Sequence, residues 1–572
     1  MQRPTNLYIT NILFLCTLLQ SCYSSSYVST PDGALQHRPN GYVRRHVHTV
    51  RAQLAKGPNK FKYADRQELQ GGAPGMYGLA THMYGLHNRR IRASRPHPHW
   101  GRQRFIKRPN NMSKLVCFCD PATQKNRVDL GKGSLNIGTG DFIELVSGDV
   151  FVDKTLLIKD LLTDSGTKAL LITRPRRWGK TLNMSMLYNF LRCEVREDAT
   201  TNKLETVNPH PGLFDYLQVG EKYPELIRRH QGKWPVIFLT FKGVGGNSIR
   251  NIEQRFRDVL SELYDQHSYL GDWLYSLGKK RASVARAKYF SNVLEGEVDL
   301  AGLERSLYFL SKLLYEYHGR KVFVLLDEYD APLNNTFLKP TLYEEVLSFM
   351  RGLLGDCFKD NRYLKQGIMT GILRIAKADL FSGINNFKEY SLLDKHYAEH
   401  FGFTDTEVSN LFDQPHVREL IEEPAPNPEA IKAWYNGYTI GGVTIYNPWS
   451  IMSCISEGGM LSPYWVTTGS DTLLRNLLKD NFELVYQVKQ LLAKNTIEIR
   501  ISPYINMVDM DHDLKFWSLM LAAGYVTLAG EIQSMPDIEY SCQVRIPNAE
   551  IKAVYESLIV GWFKGTGGIR PD

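Results

Sequence analysis

Cysteine is scarce and scattered: eight residues, at 16, 22, 117, 119, 193, 357, 454 and 542, in a chain of 572. That excludes a disulfide-framework fold, and Cys117 with Cys119, lacking a second pair, makes a poor zinc signal. Long apolar runs are missing too. Beyond the N-terminus no charge-free stretch reaches the roughly 18 residues of a membrane helix, which excludes a polytopic membrane protein. Internal repeats, a GxSxG elbow and a Cys–His signature of covalent hydrolysis are absent. What remains is 43% hydrophobic and 23% charged residues, the balance of a globular protein. The length suits two or three domains at ~100–200 residues each.

Acidic residues nearly vanish from one stretch. Residues 23–140 hold 20 Lys+Arg against 5 Asp+Glu, so a basic front precedes a mildly acidic body. Seven of the fifteen histidines lie there among Gly, Pro and Ser, with no period of two or 3.6, and the expectation is a disordered basic region. A solvated linker is the plain reading. A segment that contacts nucleic acid or another anionic partner is the other. Residues 1–22 run from Arg3 through LYITNILFLCTLL into small residues, the layout of a secretory signal peptide. Secretion and an uncleaved N-terminus on an intracellular (cytoplasmic or nuclear) protein both stay open.

Periodic order begins near Asp141. LLIT (170–173), PVIFLTF (235–241), KVFVLLDE (321–328) and GIMTG (367–371) read as short buried strands. Helices are expected over 181–191, from Leu182, Met186, Leu187 and Phe190, and from Leu300 to Tyr317, ended by Gly319. Alternating strands and helices predict an α/β fold with a parallel sheet covered on both faces. The expected domains are 141–404, this α/β unit, and 405–560, mostly helical and without comparable buried strands; 561–572 reads as a flexible tail.

The strongest local signal follows the first strand. In RPRRWGKT, Arg174–Thr181, a strand, a tight loop and Gly-Lys-Thr opening a helix surround an anion with backbone N–H groups and a helix N-terminus. Lys180 then reaches phosphates and the Thr181 hydroxyl ligates Mg²⁺. GxxxxGK(S/T) calls for glycine at 174, and arginine stands there. The second signal is VFVLLDE, whose apolar strand ends in Asp327 and Glu328. Asp327 can hold Mg²⁺ through water, and Glu328 can act as general base on an attacking water.

FVDKT (151–155), TRPRRWGKT, LLDEYDAPL (326–333) and TGILRIAKADLFSGINN (370–386) resemble the AAA-ATPase-like family. So do FGFTDTEV (401–408), WYNGY (434–438), YNPWSI (446–451), PYWVTTG (463–469) and IPNAEI (546–551). The resemblance covers about 141–560. It implies a P-loop NTPase (RecA/ASCE-like) sheet, ATP and Mg²⁺ as cofactors, and RPRR(F/W)GK(S/T) as the family's own loop. It also implies that Arg176, Arg177, Gly179, Lys180, Thr181 and Asp327 contact the nucleotide, with Thr181 and Asp327 at the metal and Glu328 catalytic. Relatives commonly carry a PD-(D/E)XK nuclease-like domain, and only 21 residues follow IPNAEI, so nucleic-acid cleavage by such a domain is not expected.

Arg374 follows the fourth strand, where a cation near the γ-phosphate or a surface ion pair would serve equally, and Thr370 is a polar sensor candidate. Asp153 and Lys154 either approach the base or, for Asp153, cap the next helix. HYAEH (396–400) fits HxxEH, a zinc pattern if helical. The functional expectation is an ATPase whose hydrolysis drives a conformational switch. The alternative is a nucleotide-dependent binding or regulatory module, including a secreted effector with a basic front for nucleic acid or a host protein. The molecule acted on and the oligomeric state stay open.

Overall fold

The computed structural model describes residues 135–565 apart from 164–165, 199–202, 279, 337–338, 376–379, 382–386, 466–477, 479–480, 505–511 and 535–538, together with 28–29 and 35–36. The signal-like segment 1–22 lies outside these residues. Of the basic stretch 23–140, the described parts are the antiparallel pair Val28–Ser29 with Leu35–Gln36, and residues 135–140.

Five parallel strands form the central sheet: β1 (Ala169–Thr173), β2 (Val236–Thr240), β3 (Val322–Asp327), β4 (Leu364–Gly371) and β5 (Phe387–Tyr390). Their order is β2-β3-β4-β1-β5, so β4 stands between the strand that enters the Arg174–Thr181 loop and the strand that ends in Asp327. β1, β2 and β3 read as apolar runs because both faces are covered, whereas the edge strand β5, FKEY, is only partly buried. Ala169, Leu171, Ile237, Leu239, Val324 and Leu326 enter one core. Leu170, Ile172, Val236, Phe323, Leu325 and Ile368 enter the other. Each Val, Leu, Ile or Phe among them, fully buried, contributes about 1.5–3 kcal/mol of transfer free energy.

The first two of three helices follow the sequence pattern closely. Helix α1 (Lys180–Leu191) packs Met184, Leu187, Phe190 and Leu191 onto the second core. Helix α2 (Leu300–His318) lays Leu303, Leu307, Leu310 and Leu314 on the first. Its Asp299 cap accepts from the Gly302 amide, and Gly319 ends it in the left-handed region at φ 64°. Helix α3 (Pro340–Phe358) leads into β4.

The C-terminal third is not free of buried strands as expected. It holds the hairpin β6 (Tyr438–Ile440) and β7 (Val443–Ile445), then an antiparallel sheet of β8 (Thr496–Ile501), β9 (Thr527–Ser534) and β10 (Tyr540–Arg545), ordered β8-β10-β9. Only alternate residues face inward, Ile499 and Ile501 on β8 and Cys542 and Val544 on β10, so no apolar run announces these strands. Helices α4 (Pro448–Ser456), α5 (Phe482–Lys494), α6 (His512–Ala523) and α7 (Ala549–Gly565) surround them. Helix α7 runs through 561–565, the first part of the expected flexible tail; 566–572 lie outside the described residues. One core continues from the parallel sheet through Tyr438 and Ile440 to Trp517, Val544 and Tyr555, so this third is packed directly on the α/β unit. Among the described residues no helix is long and apolar enough to cross a membrane.

Candidate functional site

The loop after β1 begins without a tight turn. The Arg174 amide donates to Gly371 O at 3.0 Å, continuing the ladder with β4. The Arg174 side chain is fully buried, and its Nη1 donates to Thr173 O (2.7 Å) and Ser391 O (2.8 Å), bolting the loop to the chain after β5. Burial lowers its pKa to about 10. The left-handed residues come later, Arg177 at φ 67° and Gly179 at φ 73°. Position 174 therefore needs no glycine, and an arginine there is a structural bolt. Gly179 has no neighbour within 4 Å of where a Cβ would stand, so its backbone angle rather than space requires glycine. It caps α1 without a side-chain bond, leaving the first-turn amides of that helix without a side-chain cap.

Lys180 and Thr181 open α1 beside the end of β3. Lys180 is 7% exposed, and its Nζ donates to Arg174 O (2.9 Å) and Pro175 O (2.6 Å), across the inside of the loop. Burial pushes its pKa down to about 8, against the pull of Asp327, Asp330 and Glu328. Thr181 Oγ1 donates to Asp327 Oδ2 at 2.6 Å, and Thr370 Oγ1 on β4 donates to Asp327 Oδ1 at 2.5 Å. One carboxylate, 1% exposed, thus gathers the loop helix, its own strand and the neighbouring strand.

Glu328 leaves β3 at φ 50°, a left-handed angle that costs a side-chain-bearing residue about 1–2 kcal/mol. That kink turns its half-buried carboxyl to the cavity wall. Burial, then Asp327, raises its pKa above the ordinary range. Asp330 is buried and accepts from the amides of Ile372 (3.0 Å) and Leu373 (2.7 Å) and from Asn334 Nδ2 (2.8 Å), which fixes the turn after β3 to that after β4.

Lys180, Thr181, Glu328 and Asp330 line a cavity of about 730 Å³, within the range of small-molecule sites; Asp327, 1% exposed, is not on its wall and meets it through Thr181. Arg176, Arg177, Gly179, Lys180, Thr181 and Glu328 all lie on its wall. The apolar wall is one that sequence reasoning left unassigned: Val150, Phe151, Val152, Phe403, Trp449 and Met452. Residues 136–140, inside the expected basic region, line it as well; Thr139 Oγ1 donates to Glu144 Oε2 at 2.6 Å. The Arg177 guanidinium lies 3.8 Å over the Trp449 ring. In YNPWSI, Asn447 caps α4 with Pro448 at its first turn, a local signal readable in the sequence; the arrival of Trp449 at the loop is not.

Arg374 is not among the residues that line the cavity. Its guanidinium pairs with Glu389 at 2.9 Å and lies 4.3 Å over the Tyr504 ring. The cause is local: β5 sets Glu389, 6% exposed, where it needs a cation. Asp153 spends its carboxylate on the Thr155 and Gln218 amides (both 2.8 Å), as a cap. Lys154 lies on the cavity wall but is paired with Glu407 at 2.6 Å. Within HYAEH only Ala398–His400 form a 3₁₀ turn and there is no α-helix, and His400 binds Asp160 at 2.7 Å. Among the described residues no three His, Cys, Asp or Glu converge as metal ligands.

Residues 136–381 match the AAA-ATPase-like family model, described as "Predicted AAA-ATPase". The resemblance read from the motifs is thereby shown for this region, and the family's description carries ATP binding with it. The chain is also similar to an uncharacterized protein in the vnfD 5' region of Azotobacter chroococcum mcd 1. The two are 26% identical over 426 residues, 74% of this chain and 69% of the relative.

Proposed function

With residues 136–381 as an AAA-ATPase-like region, we propose that this chain binds ATP with Mg²⁺ at the Arg174–Thr181 loop and hydrolyses it as a conformational switch. The observation that carries the reading is the meeting of Thr181 and Asp327 in one hydrogen bond. A hydroxyl and a carboxylate side by side at the mouth of a loop of free amides are the donor set that a hydrated Mg²⁺ on a triphosphate needs. The insertion of β4 between loop strand and acid strand agrees with the sheet arrangement that the resemblance implies.

Each side chain then has a task. Lys180 exchanges its two carbonyl acceptors for phosphate oxygens, whose negative charge favours the ammonium form that burial opposes. The amides after Gly179 hold the same anion. Thr181 and Asp327 would hold Mg²⁺, which when bound neutralises charge on the phosphate oxygens. Glu328, its proton affinity raised by burial, takes the proton of the attacking water. Thr370 fixes the rotamer of Asp327. Arg176, exposed on the cavity wall, adds positive charge at the entrance.

The test is a pair of substitutions in the full chain. Lys180→Ala is expected to remove ATP binding. Glu328→Gln is expected to keep ATP bound while turnover falls. ATP binding by the wild type with no phosphate release would leave a binding module; wild-type failure to bind ATP–Mg²⁺ would refute the proposal.

A further inference from the structure

The phosphate loop is gripped from the C-terminal third at two consecutive residues. Trp465 Nε1 donates to the carbonyl of Arg176 at 3.2 Å. Trp449 lies under the guanidinium of Arg177 at 3.8 Å. Both tryptophans are themselves tied to one side chain. Glu550 Oε1 accepts from the Trp465 amide at 2.8 Å, and Glu550 Oε2 accepts from the hydroxyl of Ser450, the neighbour of Trp449, also at 2.8 Å. The contacts close a ring, from Arg176 through Trp465, Glu550, Ser450 and Trp449 to Arg177.

Glu550 is an unusual residue to find at the far side of that ring. It has no exposed surface, and both of these donors are neutral, an amide and a hydroxyl. A buried carboxylate costs desolvation that an apolar residue of the same size would avoid. What it supplies instead is two acceptors on one rigid group, able to fix a backbone amide and a helix hydroxyl at a set separation. Its place is fixed in turn. Glu550 stands in the first turn of α7, where the helix dipole favours an anion, and Asn548 caps that turn through the Ile551 amide at 3.1 Å. Asn548 Nδ2 also binds Asn436 O at 2.9 Å.

Arg177 explains why the loop needs such a grip. It holds a left-handed backbone angle without being glycine, and relaxation of that angle would carry Gly179 and Lys180 with it. We propose that Glu550 is a positioning residue which, through Trp465 and Trp449, holds Arg176 and Arg177 and so couples the C-terminal third to the phosphate loop. The consequence for nucleotide rests on the ATP reading above; the tie to the loop does not.

The experiment uses the full chain without nucleotide and follows amide hydrogen exchange over 174–181 in E550Q, W465F and the double variant. Gln keeps one acceptor and loses the other; Phe keeps an aromatic six-membered ring and loses the five-membered ring with its N–H. Each single variant should exchange faster in this segment by about three- to tenfold, the loss of one hydrogen bond. The double variant should be no faster than the faster single, because both changes cut the same tie. ATP–Mg²⁺ affinity should fall by a like factor. Unchanged exchange in W465F, or effects that multiply in the double variant, overturns the proposal. W465F keeps the test decisive should E550Q fail to fold. Wild-type chain that ignores ATP while the exchange pattern holds would refute the ATP reading alone; ATP bound equally tightly by wild type and W465F with unchanged exchange would refute the tie alone.

Discussion

Thr181 Oγ1 donates to Asp327 Oδ2 at 2.6 Å although the two residues are 146 positions apart. The contact exists because Gly179 sets the start of α1 beside the end of β3, one strand away from β1. A metal ion on a phosphate would take both oxygens at once. Thr181→Val keeps the shape and removes the hydroxyl. Its loss should weaken ATP binding about tenfold or more when Mg²⁺ is present, as for a hydrogen bond to a charged group. Binding of ATP without Mg²⁺ should be little changed. Titration with and without the metal checks this, and equal losses in both would remove Thr181 from the metal.

Glu328 carries a pKa raised by burial and by Asp327. A general base must be ionised, so turnover should fall on the acid side at a higher pH than an ordinary glutamate would give. Glu328→Gln should lower turnover by about 10²–10⁴ and abolish that acid limb. A pH–rate profile that keeps its acid limb in the variant would place the base elsewhere.

Lys180 is held near pKa 8 by burial. An anion at its Nζ favours the charged form and moves that pKa upward. ATP binding at pH 9 should therefore take up close to one proton from solution, and at pH 6, where Lys180 is already charged, almost none. Calorimetry in buffers of different ionisation enthalpy measures the uptake directly. No uptake at pH 9 in the wild type, or the same uptake in Lys180→Ala, would contradict it.

Four strands of the parallel sheet were legible because they carry apolar runs, from LLIT to KVFVLLDE, whereas β5, FKEY at the sheet edge and only partly buried, gave no such signal. The loop and the acid pair were legible because each ends such a strand. The antiparallel sheet at 496–545 was not, since TIEIRI hides its apolar set at every second position among charges. Arg374 and Glu389 show a different limit. Both are local to the site in sequence, and only the placement of β5 decides that the arginine turns to the carboxylate. Trp449, Trp465 and Glu550 reach the loop from 270 or more positions away in sequence; no spacing rule carries that far.

Arg374→Ala separates those two roles by experiment. The change leaves Glu389, 6% exposed, without its cation and removes the stack on Tyr504. Stability should fall by roughly 3–5 kcal/mol, the usual result of breaking a buried pair from one side. ATP turnover of the folded fraction should remain within about twofold of wild type, because this guanidinium is not on the cavity wall. A variant of normal stability with turnover reduced a hundredfold would return Arg374 to the reaction.

Glu550 makes a prediction about pH and stability that needs no nucleotide. Burial pushes its pKa up to about 7, although the Trp465 amide and the Ser450 hydroxyl oppose the shift. In the unfolded chain it titrates near the ordinary 4.5. The folded state therefore binds the extra proton, and stability falls as pH rises between these two values. The contribution is fully present below about pH 4.5 and lost once pH passes about 7, a span worth roughly 3 kcal/mol. The titratable groups that influence or surround it, Tyr435, Tyr438, Cys454 and Tyr464, are all shifted upward by burial and stay neutral across that window. Glu550→Gln removes this one titration and leaves the rest of the chain's acid–base behaviour common to both proteins. Denaturant unfolding of the two at pH 5 and pH 8 should show wild type losing about 2–3 kcal/mol relative to the variant between the two pH values. A difference that stays constant with pH would mean that the Glu550 carboxyl titrates alike in the folded and the unfolded chain, as a solvated group does, and is not desolvated in the core.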